Sequence, residues 1–129
     1  MVGEPDEDVL AFAHRMFDLA RDGDDGTLAA NLAAGLPPSL TNHTGDTLLM
    51  LAAYHNHPGA VRVLLAAGAD TARINDRGQT ALDAAVFRRS AHTVALLLDA
   101  GADPALGSPS AVEVARFFAL PEMLAQLNG

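Results

Sequence analysis

Gly45-Asp46-Thr47-Leu48-Leu49-Met50-Leu51-Ala52-Ala53 and Gly78-Gln79-Thr80-Ala81-Leu82-Asp83-Ala84-Ala85 begin thirty-three positions apart, and that spacing decides the fold. Aligned without a gap, residues 45–70 and 78–103 agree at eleven of 26 positions. These are the Gly and Thr of each opening, Leu49/Leu82, Ala52/Ala85, Val61/Val94, Leu64/Leu97, Leu65/Leu98, and Ala67-Gly68-Ala69-Asp70 against Ala100-Gly101-Ala102-Asp103. Gly35 carries the glycine series one step further back. Such a period means small units that cannot bury an apolar face alone and must stack to do so.

Each unit has a physical reading. Thr47 and Thr80 precede apolar-periodic runs, where a hydroxyl can accept from the free N–H groups of a helix start. Thr80 with Asp83, and Ser110 with Glu113, have the spacing of a capping box. The pattern predicts helices over about 47–54 and 80–88, then turns at Asn56-His57-Pro58-Gly59 and Arg89-Ser90. Second helices follow over about 60–66 and 92–99, closed by Gly68 and Gly101. Leu64, Leu65, Leu97 and Leu98 are expected to fill the layer between units, with Ala52, Ala53, Ala84 and Ala85 allowing close approach.

Two short helices and a hairpin-like loop in each such period resemble the ankyrin repeat. The Gly45–Ala53 and Gly78–Ala85 stretches stand where that family has G-x-T-P-L-H-x-A-A, and Gly68-Ala69-Asp70 and Gly101-Ala102-Asp103 match its G-A-D segment. The motif proline is replaced by Leu48 or Ala81, and the motif histidine by Met50, Asp83 or Glu113. The resemblance implies an all-α solenoid of about four helix–turn–helix units. It covers about residues 6–127 of a single domain over 1–129, which divides into an N-terminal cap over 6–36, repeats over 37–69 and 70–102, and a shortened C-terminal cap over 103–129. In the first cap, Val9, Leu10, Phe12, Ala13, Met16, Phe17, Leu19 and Ala20 make a wide apolar face. The outer face of each cap is expected to be polar, and eight of the sixteen carboxylates fall between Met1 and Asp25.

Composition excludes several classes. The chain has 129 residues, a net charge of −8, no cysteine, and eight basic residues that are all arginine. Without cysteine there are no disulfides, thiolate metal sites or thiol nucleophiles. An acidic chain with no basic run is a poor partner for nucleic acid. No apolar run reaches the length of about 18 residues that a membrane-spanning helix needs. The expectation is a monomeric cytoplasmic protein, and alanine and arginine without lysine suit a GC-rich bacterial genome. No G-x-S-x-G elbow, P-loop or dinucleotide fingerprint is present, so an enzyme is not expected. A convex stack is also expected to offer few deep clefts and no paired carboxylates in an apolar pocket. Asp22-Gly23-Asp24-Asp25-Gly26 lacks the sixth-position glycine and twelfth-position glutamate of a calcium loop and reads as a helix–helix turn capped by Asp24 or Asp25.

The resemblance further implies protein binding through loop tips and the concave face of the first helices. In this chain the tips carry His43, Asp46, Ile74, Asp76, Arg77 and Gln79, and the matching helix ends carry Tyr54-His55 and Phe87-Arg88. With a three-residue deletion Phe117 continues the series, so Tyr54, Phe87 and Phe117 are expected to form an aromatic ladder. Aromatic and arginine side chains of this kind are the usual anchors of interfaces. The alternative is a haem- or metal-handling accessory protein, for example for catalase maturation, using Tyr54, His55 and His57. It is implied by the resemblance, since small bacterial ankyrin proteins include some linked to catalase maturation, together with tyrosine and histidine being haem or metal ligands. No cofactor is required by the first reading.

Overall fold

The computed structural model describes residues 7–129. It contains α1 (Glu7–Asp22), α2 (Asp25–Ala33), α3 (Leu48–Tyr54), α4 (Pro58–Ala66), α5 (Ala81–Phe87), α6 (Ala91–Asp99), α7 (Ala111–Phe117) and α8 (Pro121–Asn128). No strand occurs among the described residues, and none of their helices is long and apolar enough to cross a membrane. Consecutive helices pair, α1 with α2 through α7 with α8. The first helices stack on one another in the order α1, α3, α5, α7, and the second helices in the order α2, α4, α6, α8. The result is a two-layered all-α solenoid of four helix pairs.

The helix starts form as the side chains dictate. The Thr47 hydroxyl accepts from the Met50 N–H at 3.1 Å. Thr80 with Asp83, and Ser110 with Glu113, make complete reciprocal capping boxes. Asp24 is the cap of α2 and accepts from the Thr27 N–H. Pro58 and Pro121 open α4 and α8, where a missing N–H costs nothing.

Leu28, Leu48, Leu49, Leu64, Leu82 and Leu97 are fully buried, and Ala52, Ala53 and Ala85 lie between them. Leu65 and Leu98 are only half-buried. Filling by leucine and alanine brings the helix rows together, with Phe17 of α1 the one buried aromatic side chain among the described residues.

Neighbouring loops are stitched together by asparagines at the same period. Asn42 Oδ1 accepts from the N–H groups of Thr44 and Asp46, and Asn75 Oδ1 from those of Arg77 and Gln79. Between loops, the Asp76 N–H donates to the Thr44 carbonyl and the Ser108 N–H to the Gly78 carbonyl. Gly78 has φ +78°, and a Cβ there would lie 2.7 Å from the Ser108 carbonyl oxygen. The close loop approach therefore requires glycine.

The N-terminal cap departs from the expected polar outer face. Met16, Phe17 and Ala20 are buried, but Val9, Leu10 and Phe12 are exposed. The described stack begins at α1, and α2 and α3 can cover only part of its apolar circumference.

Candidate functional site

The inner helix row and the loops enclose a groove of about 890 Å³. This groove does not contradict the expectation of few deep clefts: the loops carrying His43, Asp46, Arg77 and Gln79 line it together with the first helices. Of the residues expected at a binding face, His43, Asp46, Tyr54, His55, Arg77, Gln79, Phe87 and Phe117 line the groove. Ile74, Asp76 and Arg88 do not. Ile74 and Asp76 stand exposed on their loop. Arg88 lies with its guanidinium carbon 5.8 Å from the centre of the Tyr54 ring.

The aromatic ladder exists with a changed third rung. Tyr54 and Phe87 stack with centroids 6.0 Å apart and planes 8° from parallel. Phe87 then meets Phe118, not Phe117, edge-on at 5.9 Å. Phe117 packs against Phe118 at 4.9 Å and is 82% exposed. The last unit is three residues shorter, and Phe118 is the C-cap of α7, where its ring turns back toward α5. Tyr54 and Phe87 are each about half exposed, so the rail faces solvent and is not mere packing between units.

Polar groups in the groove divide into committed and available ones. Asp46 accepts from Thr44 Oγ1 at 2.9 Å and from Asn75 Nδ2 at 2.8 Å, and Gln79 Oε1 accepts from Asn75 Nδ2 at 3.1 Å. Asp46 and Gln79 are thus tied into loop structure, while His43 and Arg77 are exposed. Asn42 and Asn75 organise these loops and carry a signal in the sequence, since they too are separated by one full repeat period.

Besides Asp46, the groove lining holds the carboxylates of Asp83, which is buried, and Glu113, which is exposed. Asp83 is 4% exposed, and burial pushes its carboxyl up to about 6 against the pull of the Thr80 hydrogen bonds. The negative Glu113 adds to the rise. Glu113 itself is held below its ordinary value by the Ser110 N–H and hydroxyl. His55 is lowered by loss of solvent and by the nearby positive Arg21.

Of Tyr54, His55 and His57, the first two line the groove and the third does not. Tyr54 and His55 touch edge-on at 5.2 Å and line the groove. His57 is outside the groove lining, with Nε2 2.7 Å from the Arg21 carbonyl oxygen, to which it donates. Its ring lies over Gly23, where a Cβ would meet Nδ1 at 2.5 Å. His57 therefore ties the second unit to the first. Among the described residues no group of three or more His, Asp or Glu is placed to hold a metal ion.

Comparison with known proteins agrees with this architecture. The ankyrin-repeat profile, in three copies, matches residues 16–107. An ankyrin repeat protein of Pseudomonas aeruginosa is 52% identical over 60 residues, which are 46% of this chain and 35% of that relative. The match thus spans about a third of the relative's length. The fourth helix pair, α7 and α8, lies beyond the matched repeats but continues the same two rows. With the profile covering most of the chain and each repeat folded as paired helices joined by projecting loops, the chain belongs to the ankyrin-repeat family.

Proposed function

We propose that this chain is a non-catalytic recognition module that grips a segment of another protein along its concave groove and loop tips. Ankyrin repeats generally mediate protein–protein interaction, and the family is generally a scaffold without enzymatic activity. The observation that carries the reading here is the solvent-facing rail of Tyr54, Phe87 and Phe118 along the groove, with Arg88 and Arg89 poised over its rings. Large aromatics held rigidly at the edge of a stack offer contact area at little entropic cost, and arginine beside them supplies directional hydrogen bonds. His43 and Arg77 add adjustable polar contacts from the loops.

The test is affinity capture from native lysate with the wild-type chain and with Tyr54→Ala and Arg88→Ala, each shown by circular dichroism to be folded. Truncating a true anchor weakens binding by roughly 1–4 kcal/mol. A specifically captured protein that both variants retain at full strength contradicts the groove assignment.

A further inference from the structure

The groove floor changes character along the stack. Met50 and Asp83 occupy the same place in successive repeats, and the shortened last unit continues the row with Glu113. The floor thus passes from a buried apolar side chain to two carboxylates. Each carboxylate spends one oxygen on a helix start: Asp83 Oδ2 accepts from the Thr80 N–H and Glu113 Oε1 from the Ser110 N–H, both at 3.0 Å. Asp83 Oδ1 is buried and has no hydrogen-bond partner. Among the described residues neither carboxylate is ion-paired. Arg88 stands over Tyr54 and Arg89 over Phe118, while Arg116, whose positive charge acts on Glu113, and the exposed Arg77 form no ion pair with either acid. A buried, incompletely paired acid is costly, and an opposite charge brought to it recovers much of that cost. The same groove is lined by Phe87 and the largely exposed Phe117, and the ring faces of such residues attract cations.

We infer that the α5–α7 half of the groove is a seat for an arginine side chain of a partner protein segment, its guanidinium over Asp83 and Glu113 and flat against the phenylalanine rail. This inference rests on the protein-recognition reading and specifies the partner's chemistry. Arginine fits better than lysine because a planar five-donor group can serve two carboxylates while stacking on a ring. The neighbouring apolar floor at Met50 suits an aliphatic residue beside that arginine.

The experiment is an NMR titration of the 15N-labelled chain with acetyl-Leu-Arg-Leu-amide and with its citrulline counterpart, which is neutral and nearly isosteric. Saturable shifts centred on α5 and α7 are expected, with the citrulline peptide at least tenfold weaker. Glu113→Gln and Asp83→Asn keep the helix-start acceptors, and each is expected to weaken the arginine peptide several-fold while leaving the citrulline peptide unchanged. Equal binding of the two peptides, shifts centred on the acidic α1, tighter binding of a matched glutamate peptide, or no saturable shift overturns the seat. Lysate capture that falls with Tyr54→Ala but survives both carboxylate variants removes the arginine seat and leaves the broader groove reading standing. Capture unaffected by both Tyr54→Ala and Arg88→Ala fails that broader reading instead.

Discussion

Asn75 Nδ2 donates to Asp46 Oδ1 at 2.8 Å, a hydrogen bond that joins two loops 29 residues apart in sequence. The same side chain accepts from the Arg77 and Gln79 N–H groups. It is 8% exposed, so water cannot readily replace these bonds. Asn75→Ala is expected to destabilise the fold by roughly 1–3 kcal/mol, since backbone donors and an acid lose their partner together. Urea denaturation measures this directly. His43→Ala, on an exposed tip, is the control and is expected to leave the midpoint within experimental error.

Leu64 and Leu97 are fully buried at equivalent places in successive repeats. Leu64→Ala or Leu97→Ala is expected to cost roughly 2–5 kcal/mol through lost contacts and the cavity left behind. An unchanged denaturation midpoint in either variant contradicts the stacking described.

Asp83 makes stability depend on pH in a defined direction. Its folded-state value, about 6, lies above the ordinary 3.8, so the folded protein holds a proton that the unfolded chain has released. That contribution is fully present below about 4 and is lost as pH rises through about 6. The expected difference between wild type and Asp83→Asn across this window is roughly 1–2 kcal/mol, allowing for partial solvent screening. Glu113 acts in the opposite sense at lower pH, because its value is depressed. Denaturation midpoints of both proteins at pH 4, 5, 6 and 7 check the sign. Parallel curves for wild type and variant would show that Asp83 is not the group responsible.

Asn56, Arg89 and Ala119 have φ between +52° and +60°, a left-handed backbone that side chains disfavour. They occupy the same turn in three successive units. Ala119→Gly is expected to raise stability by up to about 1 kcal/mol, relief of the left-handed cost exceeding the added freedom of the unfolded chain. The same chemical change at Ala115, fully buried inside α7, is expected to lower stability by about 1 kcal/mol or more. Thermal melts of the two variants should shift in opposite directions.

Much of this architecture is legible from residues that act locally. Thr47, Thr80 and Ser110 cap helices because their hydroxyls lie next to free N–H groups, and the glycine period marks where each second helix closes. What escaped depends on contacts distant in sequence. Phe118 replaces Phe117 as the third rung because the shortened last unit and the ring's direction at a C-cap together choose its neighbour. His57 stands in the expected turn, yet its bond to the Arg21 carbonyl crosses 36 residues and has no local signature. Val9, Leu10 and Phe12 belong to a helical apolar pattern, but a pattern cannot say how much of a helix its neighbours will cover. Asp83 and Glu113 were visible as capping residues, whereas the burial of Asp83 and the place of both in a groove required the loops to be placed.

The central claim is that the rail side of the stack contacts another protein. It is tested most directly by photo-crosslinking in native lysate, with a benzophenone amino acid replacing Phe117 in the groove or Arg62, exposed on α4 in the other helix row. A discrete protein adduct from position 117, absent from position 62 and suppressed by Tyr54→Ala, is the predicted result. Adducts that form equally at both positions, or only at position 62, would contradict the account.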